Sequence, residues 1–291
     1  MKLTDINIRD PFVLPYEGTY YMYGSRVAVE EDGDGWGPQT GFDVYESEDL
    51  ETWSAPKSVF EITADFWGTQ DAWAPEVHLY NGKFYMFASF KAENKCRGTH
   101  ILVCDTPNGT FVPLSDAPIT PPDWECLDGT LYVDKAGDPH IVFCHEWLQV
   151  GDGTVCEMRL SHDMTRALTP PRVLWSASLY EGVTPVRAGT VTYVTDGPFL
   201  LRDNSGALLC LWSTFNQNGY AELICKSDNE DIDGNWTLTS RPLSSENGGH
   251  GMVFRSFAGE RFFVMHRPNT SPLERPVMHA LREDAQGVYI E

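Results

Sequence analysis

Apolar and polar residues alternate over short runs along the chain, whereas long stretches with the periodicity of an α-helix are nearly absent. Aromatic and β-branched residues dominate five of these runs, and such residues favour strands. A short glycine-containing turn precedes each run, which is the signal of a β-hairpin. The pattern therefore predicts an all-β fold built from hairpins. The five strands cover residues 19–25, 82–90, 140–147, 207–215 and 260–268.

The hairpins recur at a wide and similar spacing. The strand that leads each hairpin begins near one member of the set Asp10, Glu76, Asp128, Asp196 and His250. Consecutive starts are roughly 50 to 70 residues apart, which leaves room for four strands in each unit of a radially repeated fold. The spacing predicts a five-bladed β-propeller. A β-sandwich is the alternative, but the strands of a sandwich follow one another at more even intervals.

Polar turns after three further strands support this architecture. Residues 44–53, 159–168 and 225–236 each place a serine and an acidic residue in such a turn. Turns of this kind join the outer strands of a blade. The first and the last of these segments end in a tryptophan, which suits a residue that covers the seam between blades.

The composition narrows the range of partners. With 291 residues and 42% hydrophobic content, the chain can bury a full core, and no Pro-, Ser- or Gly-rich linker divides it. We therefore expect a single catalytic domain over residues 1–291. The formal charge of −21 repels phosphate backbones and anionic membranes, so we expect neither nucleic acid nor membrane as a partner. The oligomeric state is left open.

The cysteine content and the amino-terminal segment bear on location. The seven cysteines form no C-x-x-C pair. We therefore expect them to be small buried hydrophobic residues of a protein in a reducing compartment. The first twelve residues contain no apolar run of signal-peptide length, and no segment is long and apolar enough for a membrane span. A cytoplasmic location is the expectation.

In a propeller, the innermost strands converge on a central channel, so the five leading residues would meet at one mouth. Clustered carboxylates raise one another's pKa values, and one acid can stay protonated while another stays ionised. Cleavage of a glycosidic bond needs that division between a proton donor and a base. Trp73 and Trp147 lie beside these acids in the sequence and are candidates to stack on sugar faces. Taken singly, each acid is more typical of a turn cap, but five polar residues in equivalent repeat positions favour a shared site.

Five segments together resemble the blade signatures of glycoside hydrolase family 43, the arabinofuranosidase and xylosidase group. They begin at IRDPFVLPY, WAPEVHLYNGKFYMF, LDGTLYVDKAGDPHIVF, TDGPFLLRDNSGALLCLWS and GGHGMVF, and they span nearly the whole chain. The resemblance implies a five-bladed β-propeller that cleaves arabinosyl and xylosyl linkages with inversion. It also implies an aspartate base, an aspartate that tunes pKa and orients, and a glutamate acid. No redox cofactor is implied.

The matching positions carry these roles onto particular residues. Asp10 of RDPF matches the base, and Asp128 of LDGTLY matches the pKa-tuning aspartate. Trp73 of WAPE matches an aromatic residue near the pocket. His250 of GGHGM matches a histidine near the channel axis, and the resemblance allows a structural calcium ion there with His250 as a candidate metal ligand.

One position departs from the family pattern. The family carries a glutamate before Gly-Pro, and this chain carries Asp196. The shorter side chain places its carboxyl about 1 Å or more short, a misplacement that can cost on the order of 100-fold in rate. Glu146 of FCHEWLQ is the alternative acid, because an ionisable residue in an apolar run implies a partner or a cavity. The other interpretation of Glu146 is a structural carboxylate bonded to an arginine or to backbone amides, which would favour a binding protein over an enzyme. Asp196 and Glu146 both remain candidates for the proton donor.

Other candidates for substrate contact are Glu76, at the start of its leading strand, and Arg267, which closes the last hairpin. Arg267 either touches substrate or pairs with a neighbouring acid. Residues 27–41 read as an acidic loop, in which Trp36 is a candidate lid residue. The DGDG stretch in this loop lacks the rest of an EF-hand and is not a calcium site.

The sequence therefore predicts an inverting glycoside hydrolase that acts on arabinofuranosyl or xylosyl linkages in short oligosaccharides. A non-catalytic carbohydrate-binding propeller is the alternative from another class, since the family's glutamate is lost. A related glycosidase with another sugar specificity, such as a galactosidase, is a further alternative. A sucrose- or levan-type propeller ranks low, because RDP is present at residues 9–11 but Glu-Cys-Pro is absent.

Overall fold

A computed structural model describes residues 1–27 and 39–291 of the chain. Within these residues, twenty strands form five four-stranded antiparallel sheets, and each sheet is built from four consecutive strands. The innermost strand of each sheet contacts the innermost strands of both neighbouring sheets, which closes the ring. The fold is a five-bladed β-propeller, as the hairpin spacing predicted.

The strand bounds follow the predicted repeats. Blade 1 contains β1 (Ile8–Tyr16), β2 (Thr19–Arg26), β3 (Gly41–Ser47) and β4 (Lys57–Glu61). Blade 2 contains β5 (Gln70–Tyr80), β6 (Lys83–Ala92), β7 (Lys95–Cys104) and β8 (Val112–Pro113). Blade 3 contains β9 (Cys126–Val133), β10 (Pro139–His145), β11 (Thr154–Arg159) and β12 (Arg172–Ser176). Blade 4 contains β13 (Asp196–Arg202), β14 (Leu208–Asn216), β15 (Gly219–Ser227) and β16 (Trp236–Leu238). Blade 5 contains β17 (Gly249–Arg255), β18 (Arg261–Arg267), β19 (Arg275–Asp284) and β20 (Gly287–Ile290).

Helical structure among the described residues is short. It consists of one α-helical turn, α1 (Trp147–Val150), and two 3₁₀ turns, Leu3–Asp5 and Ala177–Leu179. No helix in these ranges is long and apolar enough to span a membrane. The core therefore comes from sheet faces: buried apolar side chains form clusters between neighbouring blades. Trp53 and Trp236, the seam residues that the polar turns predicted, are both buried in these clusters.

The ring closes between blades 5 and 1 through side chains rather than through a shared strand. The Asn7 amide donates to the carbonyl oxygen of Glu274 at 2.7 Å, and Arg275 Nε donates to the carbonyl oxygen of Thr4 at 3.0 Å. Arg9 forms an ion pair with the fully buried Glu274 at 2.8 Å. Because a buried charge is costly unless it is paired, the Arg9–Glu274 contact ties the two ends of the ring together.

Each innermost strand has a bulge at the same level of the channel. The bulge residue has a positive φ of about 50° and is followed by proline or glycine, and the pairing register shifts there. Left-handed backbone is unusual for residues other than glycine, and bulges of this kind aim side chains at functional sites. The five bulge residues are Asp10, Ala74, Asp128, Gly197 and His250.

This ring corrects one placement from the sequence. Glu76 was predicted to lead its blade at the position equivalent to Asp10, but the equivalent residue is Ala74. Glu76 lies two residues further along β5, where a carboxylate oxygen is 3.0 Å from His78 Nε2. The bulge in β5 is longer than the others, with two register shifts, and this length obscured the alignment of the motifs.

Hydrogen bonds between blades hold the bulges in place. The N–H of a bulge residue donates to a side chain on the second strand of the preceding blade, and these acceptors are Ser25 Oγ, Ser89 Oγ, Ser213 Oγ and His266 Nδ1. In blade 4 the pattern changes: the Gly197 N–H donates instead to Asp128 Oδ2 at 3.0 Å. A buried backbone N–H must be satisfied, so this exception couples the backbone of blade 4 to a carboxylate of blade 3.

Candidate active site

The bulges deliver three of the predicted site residues to one cavity. Asp10, Asp128 and His250 occupy bulge positions, and Asp196 immediately precedes the bulge residue Gly197. As bounded by the described residues, the cavity has a volume of about 300 Å³, at the small end of the range for ligand pockets. Its lining is Arg9, Asp10, Ser25, Trp73, Leu127, Asp128, Glu146, Trp147, Val186, Val194, Asp196, Phe215 and His250.

Asp10 is arranged to remain ionised. Ser25 Oγ donates to Asp10 Oδ2 at 2.6 Å, and His250 Nδ1 lies 3.2 Å from Oδ1. Burial by itself would raise the pKa of Asp10, but His250, Arg9 and the Ser25 hydroxyl outweigh burial and hold this pKa below the ordinary value. An ionised carboxylate in a cavity is the form that a general base requires.

His266 supports Asp10 as a neutral side chain. Its Nδ1 accepts the Asp10 N–H at 3.2 Å, so Nδ1 is unprotonated and the ring proton is on Nε2, beside Asn269 Oδ1 at 3.1 Å. Burial lowers the pKa of His266 to about 3, which agrees with this tautomer. The contact of 3.4 Å between His266 Nδ1 and Asp10 Oδ1 is therefore not an ion pair.

Asp128 sits between Asp10 and the backbone of blade 4. Its Oδ2 accepts the Gly197 N–H and is 3.7 Å from His250 Nδ1. Burial and the neighbouring Asp10 carboxylate raise the pKa of Asp128 well above the ordinary value. Through the Gly197 N–H, Asp128 fixes the backbone next to Asp196, as expected of a residue that orients an acid.

Gly197 is required by the packing at this point. Its φ is +51°, and a Cβ added there would lie 2.6 Å from His250 Cδ2. Any side chain at this position would displace the His250 imidazole from the cavity wall. The position therefore requires glycine both for its positive φ and for the lack of space beside His250.

Asp196 lines the cavity at the start of β13. The Tyr220 hydroxyl donates to Asp196 Oδ2 at 2.9 Å. Burial, with the nearby Asp128 carboxylate as the second cause, raises the pKa of Asp196 to about 7. A carboxyl group with that pKa is protonated for a substantial fraction of the time near neutral pH, which is the property of a general acid.

Glu146 also lines the cavity, but its setting differs. It caps α1 just beyond the end of β10, which corrects the prediction that it lies within the strand. Arg97 Nε donates to Glu146 Oε2 at 3.4 Å, and Arg97 also pairs with Asp71 at 3.0 Å. Burial raises the pKa of Glu146, whereas Arg97 opposes that rise. An adjacent guanidinium favours the ionised form, so the contact makes Glu146 a weaker proton donor than Asp196.

The two predicted aromatic residues are in the lining. Trp73 packs face to face with the Arg97 guanidinium, at 3.8 Å from its central carbon to the ring centroid, and its indole N–H donates to Gln39. Trp147 is the first residue of α1, and the Arg187 guanidinium lies 5.2 Å from its ring centroid. Both rings are held by neighbours and offer the flat surface on which a sugar face stacks.

Two residues that the sequence offered as candidates for substrate contact lie outside the cavity lining. Glu76 is engaged with His78 deeper in the channel, and Arg267 pairs with Glu246 at 2.8 Å. The latter contact is the pairing that the sequence offered as the alternative to substrate contact for Arg267. Trp36 and most of its loop lie outside the described residues.

Sequence reasoning missed Arg97 and Tyr220. Arg97 is buried in a strand at KCRGTH, and an arginine in an apolar strand is a signal that it has an acidic partner. Tyr220 is buried in GYAELI and gave no signal, because aromatic residues fill every blade.

A structural calcium ion at His250 stays a prediction. Calcium takes six to eight oxygen ligands, water among them, and His250 Nδ1 lies 3.2 Å from an Asp10 carboxylate oxygen and 3.7 Å from one of Asp128. Within residues 1–27 and 39–291, no group of three or more His, Cys, Asp or Glu side chains is arranged to hold a metal.

Comparison with known proteins decides the family. The sequence model of glycosyl hydrolases family 43 matches residues 4–283. The chain belongs to glycosyl hydrolase family 43. Among solved family 43 relatives, the endo-arabinase from Bacteroides thetaiotaomicron VPI-5482 is 36% identical with a TM-score of 0.89, and the match covers 98% of both chains.

Curated relatives match over shorter stretches. The extracellular endo-α-(1→5)-L-arabinanase 1 of Bacillus subtilis (strain 168) is 23% identical over 150 residues, covering 48% of this family 43 chain and 44% of that protein. A xylosidase/arabinosidase of Bacteroides ovatus is 27% identical over 140 residues, covering 44% of this chain and 43% of that protein. The match thus spans less than half the length of either curated relative.

Proposed function

We propose that the protein is an inverting glycoside hydrolase that cleaves α-L-arabinofuranosyl linkages in short oligosaccharides. Asp10 acts as the base that activates water, and Asp196 acts as the general acid. The observation that carries the proposal is that these two carboxyl groups share one cavity with their pKa values displaced in opposite directions. Asp128 orients and tunes the acid.

The layout of the cavity supports inversion. His250 and Asp128 stand between Asp10 and the Asp196–Gly197 backbone, as the contacts from His250 to both aspartates and from Asp128 to Gly197 indicate. Inversion needs the base and the acid to be about 6.5–9.5 Å apart, with a water between the base and the anomeric carbon. Because other side chains lie between the Asp10 and Asp196 carboxyl groups, we expect the wider spacing of an inverting enzyme and not the closer spacing of a retaining one.

The choice of sugar rests on similarity and on cavity size. The named activities of the three relatives have arabinosyl hydrolysis in common, and xylosyl hydrolysis appears in one of them. A cavity of about 300 Å³ with Trp73 and Trp147 in its wall suits one or two sugar units. We therefore place arabinofuranosides first and xylosides second.

Stereochemistry and specificity can be tested together. Purified protein is expected to hydrolyse 4-nitrophenyl α-L-arabinofuranoside or short α-1,5-arabino-oligosaccharides faster than the β-D-xyloside and the galactosides. Proton NMR during the first turnovers is expected to show the β-anomer of free arabinose. Release of the α-anomer would contradict inversion. Sugar binding by calorimetry without turnover on any substrate would instead support a binding-only propeller.

The pH profile follows from the two displaced pKa values. The free enzyme is active while Asp196 is protonated and Asp10 is ionised, so kcat/KM is expected to fall as pH rises through about 7. On the acid side, kcat/KM should be lost only as pH falls below the ordinary aspartate value of 3.8. The measurement is kcat/KM from pH 3 to 9. A basic limb that disappears in Glu146→Gln rather than in Asp196 variants would contradict the assignment.

A further inference from the structure

Tyr220 lies behind the acid rather than in the cavity wall. Its side chain is 1% exposed, and its hydroxyl donates to Asp196 Oδ2 at 2.9 Å. A buried phenol costs free energy unless it has a partner, and here the partner is the carboxyl group to which we assign proton donation. We propose that Tyr220 is a positioning residue that sets the orientation of Asp196 for proton transfer. This inference rests on the proposed function.

The hydrogen bond gives the two oxygens of Asp196 different tasks. Because Tyr220 donates to Oδ2, that oxygen accepts, and the transferable proton belongs on Oδ1. An aspartate carboxyl group without this contact rotates about its last torsion angle and exchanges the two oxygens. The phenol removes that freedom. Proton donation depends on such alignment, since about 1 Å of misplacement costs on the order of 100-fold in rate.

The Tyr220 ring is itself fixed by packing on both sides. It stacks on the His266 imidazole, with ring centroids 5.7 Å apart and an interplanar angle of 21°. It also packs against Phe215, with centroids 5.1 Å apart, and Phe215 lines the cavity. A ring held in this way is a rigid support for the carboxyl group that it touches.

The same histidine links the acid to the base. His266 Nδ1 accepts the N–H of Asp10, so the imidazole that supports the Tyr220 ring also fixes the backbone of Asp10. Asp10 and Asp196 are 186 positions apart in the sequence, yet both depend on the stack of Tyr220 and His266. Tyr220 therefore acts on the relative placement of the two reacting carboxyl groups, not only on one of them.

Tyr220 also affects the charge of Asp196. Burial, Asp128 and Asp10 raise the pKa of Asp196, whereas His250 and the Tyr220 hydrogen bond lower it. The charged and titratable groups that face Asp196 are thus Asp10 on β1, Asp128 on β9, His250 on β17 and Tyr220 on β15. Loss of the phenol hydroxyl removes one of the two lowering contributions, so the pKa of Asp196 is expected to rise.

Tyr220→Phe tests this role in the full-length protein. We expect kcat/KM on an arabino-oligosaccharide to fall by about 10- to 100-fold. The basic limb of the pH profile should move to higher pH. The loss should be much smaller on 2,4-dinitrophenyl α-L-arabinofuranoside, because that leaving group departs without a proton.

Tyr132→Phe is the matched control. Tyr132 is also buried and also donates to an aspartate, Asp231 Oδ1 at 2.7 Å, but it lies outside the cavity lining. The control should lose thermal stability and keep both kcat/KM and the pH profile. If Tyr220→Phe lowers the melting temperature and the rates equally on all leaving groups, with an unmoved basic limb, Tyr220 is merely structural and the inference is overturned.

Two further variants extend the test, and the first of them also covers the case in which Tyr220→Phe does not fold. 3-Fluorotyrosine introduced at position 220 is a stronger donor, so it should move the basic limb to lower pH; an unmoved limb contradicts the inference. Asp196→Glu shifts the carboxyl group by one methylene and so breaks the contact. Tyr220→Phe added to Asp196→Glu should then cost little further activity, whereas additive losses would show that the two residues act independently.

Failure of this inference is distinguishable from failure of the proposed function. An inactive wild-type protein on every arabinoside and xyloside would refute the function. An active wild type in which Tyr220→Phe behaves like Tyr132→Phe would refute only the role of Tyr220.

Discussion

Asp10→Asn is expected to lower kcat/KM by about 10²- to 10⁴-fold, the range that general acid or base groups contribute. The substitution keeps the shape of the side chain, but the amide cannot take a proton from water. Since the base acts on water rather than on the leaving group, the loss should be similar for dinitrophenyl, nitrophenyl and saccharide substrates. Initial rates on these three substrates measure it.

Asp231→Asn provides a matched control for Asp10→Asn. Asp231 is a partly buried aspartate on the outer edge of blade 4 that accepts a hydrogen bond from Tyr132, and it lies outside the cavity lining. The control should lose some stability and retain its kcat/KM. A folded Asp10→Asn protein with more than about a tenth of wild-type activity would exclude Asp10 as the base.

The architecture could be predicted because each blade repeats the same local signals. Glycine-containing turns between apolar runs define hairpins, and a hairpin at regular intervals leaves a ring of sheets as the arrangement that buries both faces of each sheet. The polar turns at residues 44–53, 159–168 and 225–236 do join outer strands, and the tryptophans that end the first and third are buried.

The residue that each innermost strand contributes to the ring around the channel was harder to predict, because a bulge determines which residue that is. The ring residue is the one before proline or glycine in RDP, WAP, LDG, DGP and GHG. That rule identifies Asp10, Asp128 and His250, but it gives Ala74 instead of Glu76 and Gly197 instead of Asp196. In blade 2 the prediction chose Glu76 because it is acidic, although the bulge residue is Ala74, two positions earlier.

The sequence offered an arginine as an alternative partner of Glu146, but it could not show which arginine reaches it from another blade. Arg97 and Glu146 are separated by 49 positions, and they meet because β7 of blade 2 contacts β9 of blade 3, whose partner strand β10 ends just before Glu146. The sequence does not show this pairing, so it left Glu146 and Asp196 as equal candidates for the proton donor. Only the geometry shows that Glu146 has a guanidinium partner whereas Asp196 has a phenol and a neighbouring carboxyl group.

The activity loss in Asp196→Asn should therefore depend on the leaving group of the substrate, whereas the loss in Glu146→Gln should not. Without its acid, Asp196→Asn is expected to lose about 10²- to 10⁴-fold on arabino-oligosaccharides but less than about 10-fold on the dinitrophenyl arabinoside, whose leaving group needs no proton. Glu146→Gln replaces a charged partner of Arg97 by a neutral amide and alters the cavity wall beside Trp73, so it should raise KM on all substrates by similar factors.

The basic limb of the pH profile should persist in Glu146→Gln and vanish in Asp196→Asn, because the limb reports the deprotonation of the acid. The reverse pattern would make Glu146 the proton donor and Asp196 a substrate ligand. It would also mean that the Arg97 contact at 3.4 Å breaks when substrate enters, since a carboxyl group held by a guanidinium donates its proton poorly. Kinetics on two leaving groups with these two variants thus decides which carboxyl group of this cavity protonates the leaving oxygen.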